Sequence, residues 1–389
     1  MGPLSGITVV EMAGIGPGPF AVMMLADLGA TVTRVDRLSG GLLGAPSGMA
    51  EVRADVVSRG RRSIAVDLKS AEGVELVLRL VDSADVLIEG YRPGVMERLG
   101  LGPEVCLGRN PRLVFGRMTG WGQDGPLARV AGHDINYISL SGALAAIGRH
   151  GEAPVPPLNL VGDYGGGGLV LAYGVVAALL SAVRTGAGQV VDAAMVDGSA
   201  VLMAQFFGMR AQGRWSDDRG SNLLDTGVPF YDVYPSADGG YLSVGPLEPA
   251  FFAILLERLG IDDIDLDSQY DPGSWPALRL RLAQEFGSRT RAASEELFEG
   301  VDGCVMPVLS MSEAPQHPHN VARGTFVTRE GVVQPAPAPR FSGTPAGLEL
   351  PPPAVGEHTD AVLAELGLSG DEVRQLREAG VVGSTNPVV

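Results

Sequence analysis

Two side chains suited to moving protons on carbon stand close together in this chain, His133 in GHDINY (Gly132–Tyr137) and Asp163 in PPLNLVGDYGGGG (Pro156–Gly168). An imidazole and a carboxylate are common general bases and acids, because their surroundings can bring their pKa values toward the working pH. The same stretch adds Asp134, Asn136 and four consecutive glycines that lead into an apolar segment of helical character. A carboxylate just ahead of a helix sits beside exposed backbone N–H groups, where negative charge is favoured. These residues point to acid–base chemistry on a carbon acid, with the amides near Asp163 as donors to a developing negative charge. Each residue also has a plainer reading: a lone histidine is commonly a hydrogen-bonded core residue, and a lone aspartate in this position is a helix N-cap. The grouping in one segment favours chemistry for His133. A helix N-terminus lowers the pKa of Asp163 and burial raises it; the sequence leaves that balance open.

The elements that must hold these residues begin with a βαβ pattern. Gly6–Met12 reads as a buried strand, AGIGPGP as a turn, the segment ending near Gly29 as a helix and Thr31–Asp36 as a second strand. Further strands are expected at Ile64–Asp67, Asp85–Glu89 and Leu113–Met118, with a helix over Ala71–Val81. This alternation predicts an α/β fold with a parallel, doubly wound sheet. The glycine run then opens a long helix to about Arg184, followed by a strand at Val190–Ala194 and a helix over Gly198–Met209. Gln212–Thr226 is polar and suits a linker, and Asp238-Gly239 marks a hairpin. The expected division is a large domain over 1–190, a linker region over 191–226, a small α+β domain over 227–315, and a return segment over 316–389.

The net charge of −16 argues against a protein that coats nucleic acid or an anionic membrane. Cys106 and Cys304 cannot build a disulfide framework, which suits a reducing interior. The amino-terminal residues lack a signal-peptide pattern, and the apolar run Leu169–Val183 is shorter than the roughly 20 residues of a membrane span. A cytoplasmic location is the expectation. GPGPFA (Gly16–Ala21) satisfies a dinucleotide-binding pattern with Asp36 downstream, but Pro17 and Pro19 offer no N–H to a pyrophosphate, so a tight turn is preferred. Arg34, Arg37, Arg53, Arg59, Arg61, Arg62, Arg92 and Arg98, with Lys69, cluster near expected strand ends and suggest a phosphate site. His317 and His319 in QHPHN lack a third metal ligand and read as a loop, so no metal is expected. Met195, Met203 and Met209 are core filler or a deformable surface for an acyl chain.

The strings EMAGIGPGP, VDRLSG, IEGYRPGVMERLG, MTGWGQDGP, GHDINYISLSG, NLVGDYGGGG, GQVVDAAMVDG, LLDTGVPFYDVY and VGPLEP together resemble the family III CoA-transferases, and among them the α-methylacyl-CoA racemases. That resemblance implies a Rossmann-like large domain, a smaller α+β domain and an interlocked homodimer, with acyl-CoA between the large domain of one subunit and the small domain of the other. It implies His133 and Asp163 as the acid/base pair and Glu248 as the residue that orients His133. Ile15, Arg37, the segment Val66, Asp67, Leu68 and Lys69, then Gly90, Tyr91, Arg92, Val95 and Arg98 would line the CoA site. Gly132, Asp134, Asn136 and Tyr137 would lie against the thioester. CoA is then part of the substrate, and no separate cofactor is expected. Transferases of this superfamily use an aspartate at the Asp163 position as a nucleophile but typically lack the histidine of GHD. His133 therefore favours epimerisation, with CoA transfer as the alternative.

Overall fold

In the larger of two compact units, six parallel strands alternate their side chains between two apolar layers. They are β1 (Thr8–Met12), β2 (Thr31–Asp36), β3 (Arg61–Val66), β4 (Val86–Glu89), β5 (Val114–Thr119) and β6 (Gln189–Ala194). Val10, Val35, Val66, Leu87 and Phe115 face one layer, and Val9, Val32, Val86, Ile88 and Val114 face the other. A strand buried on both faces reads as a continuous Val/Ile/Leu run, which is why these strands are legible in the sequence. The computed structural model describes residues 2–38 and 48–384; Ser39 and Gly40, the end of VDRLSG, lie outside them.

The sheet order is β3-β2-β1-β4-β5-β6, and the short strand Val382–Gly383 pairs antiparallel with the outer edge of β3. The sheet is therefore α/β and mostly parallel. After β3 the chain returns to place β4 against β1, so the winding direction reverses between them. In such sheets ligands bind beyond the carboxyl ends of the strands at this reversal. The segment from Gly356 onward seals the β3 edge. Gly356 N–H donates to Ser63 Oγ at 2.7 Å, and the helices Thr359–Glu365 and Gly370–Glu378 add Val362, Leu363 and Val373 to the apolar layer.

The expected long helix begins earlier than the glycines suggest. Leu160–Leu169 is a π-helix, in which Tyr164 N–H reaches the carbonyl of Asn159, and it continues as the α-helix Val170–Thr185. The whole run of 26 residues is long and apolar enough to cross a membrane by length and composition, and 50% of its most apolar window is buried inside the fold. Leu171, Val175 and Ala178 lie in the apolar layer beside β5. The helix expected over Gly198–Met209 is two helices, Met195–Leu202 and Ala204–Ala211.

The larger unit comprises 1–141, 158–203 and 324–389, and the smaller 142–157 and 204–323. The boundary expected at 190 falls inside β6. In the smaller unit, β7 (Asp232–Pro235), β8 (Tyr241–Val244) and β9 (Val305–Pro307) form an antiparallel sheet, with the expected turn at Gly239 (φ +81°) between β7 and β8. The helices Pro249–Leu259 and Trp275–Gly287 bury Phe252, Leu255, Leu282 and Phe286 against it. Arg149 and Arg279 both pair with the buried Asp232 and join the 142–157 segment to this sheet.

Candidate active site

β1, β4 and β5 end at Met12, Glu89 and Thr119, and a cavity of about 570 Å³ opens beyond those ends, at the winding reversal. His133 and Asp163 both line it. His133 precedes the helix Asp134–Leu140 and is exposed, so it is not a core histidine. Its backbone N–H donates to Oδ1 of Asn136 at 3.0 Å, and its carbonyl accepts the Asn136 N–H at 2.8 Å. Asn136 thus fixes the main chain that carries the imidazole, and it does not itself line the cavity.

Asp163 lies within the π-helix rather than ahead of a helix. Its Oδ2 accepts a hydrogen bond from Nδ2 of Asn159 at 3.0 Å, and its own N–H donates to Oδ2 of Asp134 at 2.7 Å. Gly16 (φ +71°) passes so near that a Cβ there would lie 3.1 Å from Asp163 Oδ2. The carboxylate therefore stands at the Gly16 turn that opens the helix Pro17–Asp27, against the motif that resembles a pyrophosphate cradle. Asp36 is equally unsuited to a ribose, since it is buried and held by Arg34 Nε at 2.8 Å and Ser63 Oγ at 2.6 Å. The expected row of free glycine amides is corrected too. The glycines sit inside the helical run and serve close packing: a Cβ on Gly166 would meet Ser199 N at 2.5 Å.

Burial raises the pKa of Asp163, and the nearby charge of Asp134 adds to this; the Asn159 donor and the His133 imidazole pull the other way. Burial also raises the Tyr137 phenol, with the charge of Asp163 contributing. Tyr137 lines the cavity, donates its hydroxyl hydrogen to the Gly132 carbonyl and packs edge-on to Trp121 at 4.7 Å.

Of the residues expected around CoA, Ile15, Gly90, Tyr91 and Arg92 line the cavity, as does Gly132. Arg37 lies over the Tyr91 ring, 5.9 Å from its centroid. Lys69, Arg92 and Arg98 are exposed and carry no ion pair among the described residues. Val95 is half-buried and opens a short helix ending at Arg98. The Val66 side chain is in the core. Leu68 packs on that core, and the Asp67 carboxylate accepts the Lys69 N–H at 3.0 Å, so neither side chain is among those lining the cavity. Asp134 turns away from the cavity and is buried. Glu248 belongs to the smaller unit, at the start of the helix Pro249–Leu259. There burial, helped by the charge of Glu248, raises the Tyr270 phenol and the Cys304 thiol.

The arginine cluster is also corrected. Arg34 pairs with Asp36, Arg53 with Glu357, Arg59 with Asp27, Arg61 with Glu11 and Arg62 with Glu365. These guanidiniums are committed to ion pairs within the larger unit, which leaves Arg37, Lys69, Arg92 and Arg98 for an anion. His317 contacts Glu295 at 3.3 Å, and among the described residues no group of His, Cys, Asp and Glu could hold a metal ion. Met195 lines the cavity together with Met12 and Met118.

Sequence reasoning missed the cavity's ionic floor. Glu11 and Glu89 line it, each buried and held by an arginine; Arg117 Nε donates to Glu89 at 2.9 Å and its Nη1 to Glu97 at 2.9 Å. Asn159 was missed as well, although it stands four residues before Asp163, a spacing that brings side chains together on a helix.

A doubly wound sheet with a histidine and an aspartate opening onto one cavity at its reversal point agrees with the family that the sequence motifs suggest. The model of CoA-transferase family III matches residues 4–359, and the chain belongs to that family. Within the family it is 46% identical to α-methylacyl-CoA racemase of Mus musculus over 383 residues, covering 98% of both chains. It is 44% identical to the Homo sapiens α-methylacyl-CoA racemase over 386 residues, again covering 98% of both. Succinate–glutarate CoA-transferase of Agrobacterium fabrum is 34% identical, covering 94% of this chain and 96% of that one. The crystal structure of a CAIB/BAIF family protein from Brucella suis superposes with a TM-score of 0.80 at 29% identity, covering 94% and 99%.

Proposed function

We propose that this protein is an isomerase, a racemase that interconverts (2R)- and (2S)-2-methylacyl-CoA thioesters by 1,1-proton transfer through an enolate. The observation that carries this reading is that His133 and Asp163 open onto one cavity at the ligand-binding end of the sheet. Inversion requires a proton to leave one face of the α-carbon and another to arrive on the opposite face. One group, deprotonated (the Asp163 carboxylate or the neutral His133 imidazole), takes the α-proton; the C–H electron pair moves into the enolate; the other group, protonated, returns a proton to carbon. The turnover leaves the two groups with exchanged protonation, which solvent resets. A carboxyl whose pKa is raised suits both halves of that cycle better than an ordinary aspartate. Glu248 is assigned to orient His133, and Arg37, Lys69, Arg92 and Arg98 to the CoA phosphates. CoA enters and leaves as part of the substrate, and this chemistry calls for no further cofactor.

We further propose an interlocked homodimer in a reducing, cytoplasmic setting. The exposed apolar side chains of the long helix support the dimer, and the unpaired Cys106 and Cys304 support the setting.

The test is incubation of 2-methylacyl-CoA with the protein in deuterated water and no acceptor acid. The expected result is α-deuterium incorporation with loss of optical purity, and its absence removes the reading. His133→Ala is expected to abolish exchange while CoA affinity is kept. An acyl adduct on Asp163 in mass spectra, without α-exchange, would instead favour CoA transfer.

A further inference from the structure

Asp134 follows the proposed acid–base histidine in the chain, yet its side chain turns into the fold. It is 6% exposed, and its Oδ2 accepts the Asp163 N–H at 2.7 Å. Gly162 lies so close that a Cβ there would meet Asp134 Oδ2 at 2.4 Å. Asp134 Oδ1 is also buried, and it has no hydrogen-bond partner among the described residues. A buried carboxylate oxygen without a partner is costly. One amide donor could be satisfied by a neutral acceptor, so packing alone does not call for a charge here.

We propose that Asp134 is a positioning residue for Asp163, holding its main chain through one hydrogen bond and standing beside it as a fixed negative charge. This rests on the reading of Asp163 as a proton carrier. The groups around Asp163 are few. Asn159 donates to it, His133 faces it as an attractive group, and Asp134 is the like charge that opposes its ionisation. Glu11, Glu89, Arg92 and Tyr137 line the same cavity. A like charge makes the carboxyl hold its proton more tightly, and a carboxylate with higher proton affinity is the better base toward a weakly acidic α-hydrogen. Asp134 and His133, adjacent in sequence, would then serve the reaction from two sides of one turn of chain, the imidazole toward the substrate and the carboxylate toward Asp163.

The test uses Asp134→Asn, which keeps an acceptor and removes the charge, with Asp134→Ser as a smaller neutral variant. In an active parent, the acidic limb of the kcat/KM profile is expected to move down by about one pH unit. The plateau of kcat should fall several-fold while KM changes by less than about twofold. Titration of the Asp163 carboxyl by carbon NMR is expected to show the same downward move, and it applies even to a parent that fails to exchange α-protons. A null exchange result in the parent therefore counts against the racemase reading alone. An unmoved Asp163 titration in a folded variant overturns the proposal. So does a rise in KM with kcat intact, which would mark a substrate contact. Failure of both neutral variants to fold also overturns it, because packing would then require the charge.

Discussion

At Asp163 two opposing influences meet on one carboxyl, and the environment decides between them. Burial and the charge of Asp134 raise its pKa, while Asn159 and His133 lower it. Replacing Asn159 by Ala removes the donor that favours the ionised form, so the acidic limb of the kcat/KM profile should move up, opposite in sign to Asp134→Asn. An unchanged limb would show that the Asn159 bond is irrelevant to titration. The raised pKa also sets a stability effect. The folded state holds this proton more tightly than the unfolded chain does, so its contribution is fully present below the ordinary aspartate value of 3.8 and is lost as pH rises through the folded-state pKa. Asp163→Asn should therefore raise Tm at pH 7 and lose that advantage in acid, which thermal unfolding across pH would check. His133 and Asp163 were legible because their motifs are local. The pairs Glu11–Arg61 and Glu89–Arg117 were not, since their partners sit on strands whose neighbours become known only with the sheet order.

Among the elements, the π-helix Leu160–Leu169 places the site and was the hardest to read. A sequence of ten residues with four consecutive glycines gives no apolar period that separates wide helical turns from a loop. The glycines suggested open amides before a helix; in the fold they allow the π-helix to touch its neighbours. Gly198 approaches so closely that a Cβ would lie 1.8 Å from the Gly166 carbonyl oxygen, and one on Gly168 would meet the Phe20 ring at 2.7 Å. Gly198→Ala should therefore destabilise the protein by about 1–3 kcal/mol and slow α-exchange by shifting the helix that carries Asp163. Gly108→Ala, where a Cβ would meet nothing within 4 Å, is the control: it should leave exchange unchanged and Tm unchanged or slightly raised, because alanine favours the helix Pro103–Arg109 more than glycine does. Equal Tm values for the two variants would refute the packing role. The parallel strands were legible for the converse reason: burial on both faces prints a continuous apolar run. The arginines at their ends were misread because a guanidinium that joins two strands and one that waits for a phosphate look the same without their partners.

At the scale of the whole molecule, the long helix keeps one apolar face turned outward. Leu169, Tyr173, Val176, Leu180 and Val183 are exposed, at 45%, 78%, 40%, 61% and 70%. Their spacing alternates four residues and three, the repeat by which one helix packs along another. The opposite face is already committed to the sheet through Leu171, Val175 and Ala178. The sequence shows how apolar this run is, but not which side remains uncovered, because that depends on where the sheet lies. An apolar stripe of this kind is favourable in water only when something covers it. A second copy of the chain is the occupant that the proposed homodimer supplies. Sedimentation of the parent protein should then give the mass of two chains. Leu180→Asp places a charge in the middle of the stripe without touching the cavity, and should shift the mass toward one chain while the isolated fold keeps its helical circular dichroism. The same variant should lose α-exchange if the assembled pair is the working form. A parent that sediments as one chain at micromolar concentration would show that the stripe serves another purpose.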